Sequence, residues 1–356
     1  LVNYAGSERV VESLINIWND ADVFTLVDFL NDEQRKSILK GKKTNTTFIQ
    51  HLPFARKKHR YYLPLFPYAI DSLNLAEYKL IISSNHAVSK GVKTHKNQLH
   101  ICYCHSPMRY AWDHSDHYLT GVKGILAKAF MNYLRKWDLK SAENVDFFIA
   151  NSNHIAEKIK RIYNRDSVVI YPPVDVDKFS VSEKKDDYYL IASRFVPYKK
   201  VDLVVEAFNQ MPNKKLIVIG SGPDKEKIKN IAGRNIKFLP HQPTDKLKEY
   251  MMKAKAFVFA AEEDFGIVIV EAMACGTPVI ALNKGGTAES VINGKTGILF
   301  NEQNRDSIIT AIQEFEKRID YFDVQFIRKH AENFDRTNFE ENIKKFVSDK
   351  LNNFNP

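Results

Sequence analysis

The sequence predicts an α/β protein built from two doubly wound parallel-sheet units. Short apolar runs, typical of buried strands, alternate along the chain with stretches whose apolar residues recur every three or four positions, as in helices. A strand–helix–strand order favours parallel sheets with right-handed crossovers. The length of 356 residues fits about two domains at roughly 150 residues each.

The elements of the first half begin with a helix over 8–18. It is followed by buried strands over 78–83, 99–103 and 145–150, and the stretch from Val122 to Leu139 has the pattern of a basic amphipathic helix. A helix that opens an α/β unit should follow a strand and a glycine turn, and only the turn, Ala5-Gly6, is present. We therefore expect the first half to lack its first strand.

The second half repeats the alternation more regularly. Its predicted strands cover 188–193, 215–220, 256–260 and 278–282, with helices over 201–209, 225–231 and 268–274 between them. Two prolines, Pro172 and Pro173, stiffen the chain between the halves, as an interdomain link often does. We predict a first domain over 1–172 and a second over 173–335.

Charge is divided unevenly between the halves. The formal net charge is +9, of which residues 1–172 carry +8, with 24 Lys and Arg against 16 Asp and Glu. The densest basic cluster is the run 56–60, which is followed at once by aromatic residues. Such a surface suits an anionic membrane or only solvent; no helix-turn-helix, zinc-finger or RNP pattern supports a nucleic acid.

Composition excludes several classes of protein. Hydrophobic residues at 44% and charged residues at 27% are ordinary for a globular chain and exclude a disordered or collagen-like one. Three cysteines do not make a disulfide framework, so we expect a reducing, cytoplasmic compartment. No secretory signal opens the chain, and the most apolar stretch, 265–282, is interrupted by a glutamate, a glycine and a proline, which excludes a membrane span.

The most informative segment is 262–280. An acidic loop follows the strand that ends at Ala260, and a helix is predicted to begin near Phe265. Glu263 lies on the loop and Glu271, eight residues on, about two turns into the helix between apolar residues. A carboxylate enclosed in this way needs a partner, which favours a functional role for Glu271.

This segment resembles the E-x7-E motif of the retaining "group 1" glycosyltransferases, which have the GT-B fold. Further similar stretches are 193–200, which contains Arg194 and Lys199, the glycine loop 220–223, and the loops 284–289 and 294–297. Residues 105–113 resemble the subgroup that builds bacterial surface polysaccharides and includes O-antigen mannosyltransferases. The resemblance covers essentially the whole chain.

The resemblance implies a role for each motif residue. Arg194 and Lys199 would neutralise the departing nucleoside diphosphate without a metal or other cofactor, with Gly220 beside them. Glu271 would accept hydrogen bonds from the ribose, and Glu263 with the amides of Asp264, Phe265 and Gly266 would hold the donor sugar.

The first half contributes the remaining candidates. His105 would face the donor sugar and Gly6 would offer an amide to the diphosphate, although Ala5 stands where the family usually has glycine. That alanine fits if its φ is negative. Arg109 and Trp112 are acceptor candidates, and core packing explains Trp112 equally well. The helix over 336–356 would pack back on the first domain, as in the family.

The implied reaction moves a hexose from a nucleotide diphosphosugar to a glycan or lipid-linked glycan, with retention, in bacterial surface polysaccharide synthesis. Mannose from GDP-mannose is the first expectation and a UDP-hexose such as UDP-glucose the alternative; an epimerase or an inactive nucleotide-sugar-binding protein is the alternative of another class. A glycosidase is rejected, because Glu271 lies in a helix beside phosphate-binding cations. The basic first half places the enzyme at the inner face of the cytoplasmic membrane as a peripheral protein.

Overall fold

The computed structural model describes residues 1–2, 4–113 and 122–354; within these, the side chains of residues 122–127 lie outside the description, so the basic face predicted for 122–139 is followed only from residue 128. The chain divides into two compact units. The N-terminal unit comprises Leu1–Pro173 and Phe339–Pro356, and the C-terminal unit comprises Val174–Asn338.

The N-terminal unit contains six strands and eight helices among its described residues. The strands are β1 (Val23–Thr25), β2 (Thr44–Thr46), β3 (Leu80–Asn85), β4 (Leu99–Cys104), β5 (Phe147–Ala150) and β6 (Ser167–Val169). The helices are α1 (Gly6–Ile17), α2 (Asp32–Leu39), α3 (Ala55–Lys58), α4 (Phe66–Asp71), α5 (Arg109–Trp112), α6 (Val122–Glu143), α7 (Asn153–Tyr163) and, after the C-terminal unit, α15 (Arg336–Asn352).

The main sheet of this unit is parallel, with strand order β3-β4-β5-β6, and β1 and β2 form a separate parallel pair. Every residue of β4 is buried, as expected for a strand covered on both faces. One side of the sheet packs against α1 and α15, since Phe339, Ile343 and Val347 of α15 share a core with Val10 and Leu99. A cavity of about 850 Å³ lies between α1, β1 and β3.

The C-terminal unit has a six-stranded parallel sheet of order β12-β11-β10-β7-β8-β9. Its strands are β7 (Tyr189–Ala192), β8 (Leu216–Ile219), β9 (Ile236–Leu239), β10 (Ala256–Phe259), β11 (Val279–Leu282) and β12 (Gly297–Phe300). Its helices are α8 (Val201–Asn209), α9 (Lys225–Asn230), α10 (Thr244–Lys253), α11 (Ile267–Ala274), α12 (Thr287–Ser290), α13 (Arg305–Lys317) and α14 (Val324–Ala331).

These parallel sheets with intervening helices confirm the predicted α/β class. Every predicted strand is present to within a few residues, and the helix predicted over 201–209 is α8 itself. Five further strands were not predicted from the sequence: β1, β2, β6, β9 and β12. Each is three or four residues long and lies away from the middle of its sheet, where a short apolar run is the weakest signal.

No helix within the described ranges is long and apolar enough to cross a bilayer.

Candidate active site

The order of strands in the C-terminal unit brings two distant loops together. β7 pairs with β8 on one side and with β10 on the other, so the direction of chain progression reverses at β7. In an open parallel sheet, the loops after the two strands at such a reversal lie side by side and commonly bind the ligand. The loop after β7 carries Arg194 and Lys199, and the loop after β10 carries Glu263.

Lys199 and Glu263 form an ion pair in which Nζ of Lys199 donates to Oε1 of Glu263. Both side chains are mostly buried, with 21% and 15% of their surface exposed. The Lys199 ammonium also lies 5.7 Å from the ring centroids of Tyr198 and Phe259. Two predicted catalytic residues 64 positions apart in the sequence are therefore in direct contact.

The glycine loop after β8 lies against the loop that carries Arg194. A Cβ on Gly220 would come within 1.9 Å of the Ser193 carbonyl oxygen, and the φ of Gly220 is +146°, so only glycine fits. The amide of Phe195 donates to the carbonyl of Ser221 at 2.9 Å. The Arg194 side chain is exposed, and across the described chain its guanidinium meets no carboxylate, which leaves a cation available beside this loop.

The loop from Glu263 to Gly266 is held by backbone contacts. The carbonyl of Glu263 accepts from the amide of Gly286 at 2.8 Å, while Asp264 and Phe265 are buried. The Phe265 ring packs 5.7 Å from that of Phe334. Gly266 has a φ of +87° and caps α11, so the helix begins at Ile267, two residues after Phe265 and one before the predicted span 268–274. The left-handed backbone at Gly266 explains this later start, because it interrupts the helical geometry.

Glu271 is the fifth residue of α11, one turn after Ile267 rather than two turns into the helix. Its neighbours Ile269, Val270 and Ala272 are fully buried, whereas Glu271 itself is only half-buried. The enclosure expected from the flanking apolar residues is thus partial, because a helix turns successive residues to different faces.

Thr287 is a further candidate that sequence reasoning did not single out. It opens α12, its Oγ1 is buried without a hydrogen-bond partner, and that oxygen would lie 3.6 Å from a Cβ on Gly266. A buried hydroxyl without a partner beside a glycine loop is a group that a ligand can satisfy. The family resemblance of residues 284–289 indicated that this loop belongs to the site, but no feature of the sequence marked Thr287 as a ligand-binding residue.

In the N-terminal unit, His105 directly follows β4 and is buried. Its Nε2 lies 2.8 Å from the Ser84 hydroxyl oxygen, and its carbonyl accepts from Nδ2 of Asn151 at 3.1 Å. Its ring lies against that of Tyr103, with centroids 5.1 Å apart. Residues at or near the carboxyl ends of β3, β4 and β5 thus contact His105. Ser84 could have been predicted as a site residue from the sequence, because it lies near the end of the predicted strand that precedes β4.

Gly6 is the first residue of α1, as a ligand-facing helix start requires. Ala5 has a φ of −140°, so an alanine is accommodated there without strain. The Ala5 amide donates to Oε2 of Glu8 at 3.1 Å. The amides that remain for a ligand are therefore those that follow Ala5.

The acceptor candidates Arg109 and Trp112 lie on the single turn α5. The indole of Trp112 donates to Oδ2 of Asp138 at 2.8 Å, and the Arg135 guanidinium lies 5.6 Å from its ring centroid. Asp138 in turn forms an ion pair with Lys90 at 2.6 Å, with both side chains fully buried. The indole N–H of Trp112 is therefore used inside the unit, and the face of its ring is shared with Arg135.

Two family models match the chain. Residues 175–346 match the family described as glycosyl transferases group 1, and residues 4–178 match the family described as glycosyltransferase family 4. Together the two matches span residues 4–346, which covers both units. Each match covers just under half of the chain, so each half is similar to a family of glycosyltransferases.

Among the curated relatives is an uncharacterized glycosyltransferase of Methanocaldococcus jannaschii, 33% identical over 48% of this chain and 50% of the relative. Another is a GDP-mannose-dependent α-(1-6)-phosphatidylinositol monomannoside mannosyltransferase of Mycolicibacterium smegmatis, 29% identical over 40% of this chain and 44% of the relative. The chain spans about half the length of the curated relatives it matches.

Solved structures match over nearly the whole chain. The Anabaena protein HepE, in complex with UDP and glucose, has a TM-score of 0.73 at 18% identity, covering 98% of this chain and 97% of that one. Sucrose-phosphate synthase of Thermosynechococcus elongatus has a TM-score of 0.72 at 20% identity, covering 96% and 92%. These likenesses confirm the GT-B fold.

Proposed function

We propose that the protein transfers a hexose from a nucleotide diphosphosugar to a glycan or lipid-linked glycan acceptor, with retention of configuration. The observation that carries the proposal is the contact between Lys199 and Glu263 at the strand reversal, with Arg194 and the Gly220 loop beside it. Cations, a glycine loop and a carboxylate at one sheet edge suit a diphosphate joined to a sugar.

Lys199 and Arg194 supply the charge that the leaving group needs. As the bond between the anomeric carbon and the diphosphate oxygen breaks, negative charge collects on the phosphate, and two cations stabilise it without a metal. Lys199 donates to Glu263 in this structure, so a bound diphosphate would share that ammonium. The Glu263 carboxylate would then accept hydrogen bonds from the sugar hydroxyls.

Retention follows from attack on the face that the phosphate leaves. The acceptor hydroxyl oxygen forms its bond to the anomeric carbon on the side of the departing diphosphate, and its proton passes to a phosphate oxygen. Glu271 would hold the ribose, with Gly6, Asp264, Phe265 and Gly266 offering backbone amides. His105 would contact the donor sugar, and Arg109 and Trp112 the acceptor.

Mannose from GDP-mannose is the donor we propose first, and a UDP-hexose is the alternative. The first is supported by the resemblance of residues 105–113 and by the mannosyltransferase of M. smegmatis. The second is supported by HepE, which binds UDP and glucose. The net charge of +8 over residues 1–172 favours an acceptor at the anionic inner face of the cytoplasmic membrane, with the enzyme bound there peripherally.

Incubation with GDP-mannose, UDP-glucose and UDP-N-acetylglucosamine tests this function. We expect one donor to raise the unfolding temperature, because a ligand that binds only the folded state stabilises it, and to be hydrolysed slowly without an acceptor. A rise without hydrolysis or transfer would indicate an inactive binding protein, and a changed sugar on an intact nucleotide would indicate an epimerase. No response to any nucleotide sugar would contradict the proposal.

A further inference from the structure

The chain between β2 and β3 exposes large aromatic side chains beside a run of cations. We call residues Phe54–Tyr61 the basic aromatic segment; it contains α3 and the first residues of a 3-10 turn. Its Ala55 is buried in the unit. Phe54 and Tyr61, by contrast, have 77% and 76% of their surface exposed.

The two exposed rings and a lysine form one cluster. The Lys58 ammonium lies 6.0 Å from the centroid of the Phe54 ring and 5.7 Å from that of Tyr61. The cation therefore links the two rings into a continuous patch. Single exposed apolar residues are ordinary on a protein surface, whereas a contiguous patch of large ones marks an interaction site.

The backbone at Phe54 is unfavourable as well. Phe54 has a φ of +58°, in the left-handed region that bulky side chains rarely adopt. With its ring in solvent, no packing of that side chain compensates for this conformation. Such backbone strain accumulates where function requires a particular presentation of a side chain.

The positive charge around the patch indicates that its binding partner is anionic. Residues 34–70 contain nine Lys and Arg and no Asp or Glu. Arg56, Lys57, Lys58 and Arg60 are exposed, and in the described part of the chain none of them pairs with a carboxylate. The C-terminal unit offers a contrast, since its Tyr321 is equally exposed at 75% but lies between Asp320 and Asp323.

We propose that the basic aromatic segment is a docking site for an anionic lipid bilayer. Phe54 and Tyr61 enter the level of the headgroups, where amphipathic and aromatic rings are favoured, and the four cations meet the lipid phosphates. The inference rests on the proposed function only in taking the acceptor to be membrane-borne. It requires neither donor binding nor catalysis.

Vesicle flotation of the whole protein tests the site. The probes are vesicles of phosphatidylcholine alone and of phosphatidylcholine mixed with phosphatidylglycerol, at rising salt. We expect binding to the mixed vesicles only, weakening as salt screens the cations. Equal binding to neutral vesicles, or none to anionic ones, would overturn the proposal.

Three variants locate the binding surface. Neutralising Arg56, Lys57 and Arg60 to Gln should weaken vesicle binding about a hundredfold at low salt, at about fivefold for each cation. Phe54→Asn with Tyr61→Ser should weaken it about tenfold; asparagine tolerates the left-handed backbone, so the fold is retained. Tyr321→Ser is the matched control and should bind as the unsubstituted protein does.

The outcomes separate this site from the proposed function. Unchanged vesicle binding in the first two variants would place the contact elsewhere and overturn the proposal. Duplex DNA captured in place of vesicles, and lost with the same cations, would make nucleic acid the partner and overturn it as well. The thermal shift with the nucleotide sugar should persist in all variants; vesicle binding by a protein that shows no such shift would contradict the transferase function and leave the docking site standing.

Discussion

Two lysine–carboxylate pairs, one from each unit, differ in burial. Lys90 and Asp138 are both fully buried, whereas Lys199 and Glu263 keep 21% and 15% of their side-chain surface exposed. Lys90 also donates to the Ser141 hydroxyl and the Asp138 carbonyl, and Asp138 accepts from Trp112 and Tyr163.

This difference in burial distinguishes a pair that is complete within the fold from the pair proposed to bind the donor. In the N-terminal unit, neighbouring groups provide several further partners, so the pair is complete within the fold. In the C-terminal unit, Lys199 and Glu263 form their side-chain hydrogen bond with each other, and both remain partly exposed to solvent at the sheet edge. An incoming anion can exchange with Glu263 at Lys199, while nothing can reach Lys90.

The largest effect is expected at the buried pair. Lys90→Met leaves the Asp138 carboxylate buried without its cation, which costs about 3–5 kcal/mol of unfolding free energy. Chemical denaturation measures this loss. The double variant Lys90→Met, Asp138→Leu should lose less than the single one, because no uncompensated charge remains. An equal or greater loss would show that the Trp112 and Tyr163 donors, which lose their acceptor in the double variant, matter more than the unpaired charge.

A second buried group of the N-terminal unit, His100, is expected to make the stability of that unit fall in acid. Burial lowers the pKa of His100 to about 4, and its Nδ1–H is directed at the Asn144 carbonyl at 3.0 Å while Nε2 lies 2.8 Å from the Ser83 hydroxyl. Below pH 6.5 the unfolded chain takes up a proton that folded His100 does not. Stability contributed by neutral His100 is therefore complete above pH 6.5 and is lost as the pH falls towards 4, by about 3 kcal/mol.

His100→Gln provides the comparison for this acid sensitivity. Glutamine also offers a donor and an acceptor but has no proton to gain. The unfolding free energy of the variant, measured by urea denaturation from pH 7 to 4, should fall less steeply than that of the unsubstituted protein. Parallel curves would show that other groups cause the acid sensitivity.

The pair proposed to bind the donor, Lys199 and Glu263, should affect ligand affinity more than stability. Lys199→Ala should weaken nucleotide-sugar binding about 10- to 100-fold, the effect of a lost charge-assisted hydrogen bond. It should lower the unfolding free energy by less than Lys90→Met does, because Glu263 keeps 15% of its side-chain surface exposed to solvent. Isothermal titration gives the affinity. Lys200→Asn is the matched control, since Lys200 has a φ of +53° that asparagine tolerates, and its affinity should be unchanged.

Glu271→Gln extends the test to the ribose. A neutral amide accepts hydrogen bonds more weakly than a carboxylate, so we expect about a tenfold loss of donor affinity in a protein that unfolds at the same temperature. Glu314→Gln, on the partly exposed surface of α13, controls for the lost charge. Unchanged affinity in Glu271→Gln would remove this residue from the site.

The smallest effect is expected at the exposed pair Lys246–Glu249 on α10. Solvent screens such a pair and the side chains lose entropy in forming it. Lys246→Ala should leave the unfolding midpoint unchanged within error. A clear decrease in the midpoint would show that the effect of removing an ion pair on stability does not follow the burial of that pair.

The α/β class could be predicted because the central strands are buried and mostly apolar. Four strands are buried along their whole length, and their runs of apolar residues were enough to predict them: β4, β7, β10 and β11. β6 and β12 are short and lie at sheet edges, where the requirement for apolar residues weakens. Strand order was not predictable, because alternation fixes the parallel direction but not which strands are neighbours.

For the site, the resemblance identified Lys199 and Glu263, but their contact depends on the pairing of β7 with β10. Partners such as Ser84, Asp138 and Thr287 are ordinary residue types without a motif. Only three-dimensional proximity reveals them, since a hydroxyl or a carboxylate acquires its role from the groups around it.

The position of α15 has a consequence for how the chain folds during synthesis. The helix is the last described element, yet Phe339, Ile343 and Val347 complete a core that includes Val10. Residues 174–338 leave the ribosome before residues 339–352 of that helix do, so the C-terminal unit is fully synthesised first. The N-terminal unit is translated earlier, but the core on this side of its sheet stays incomplete until residues 339–347 have been synthesised.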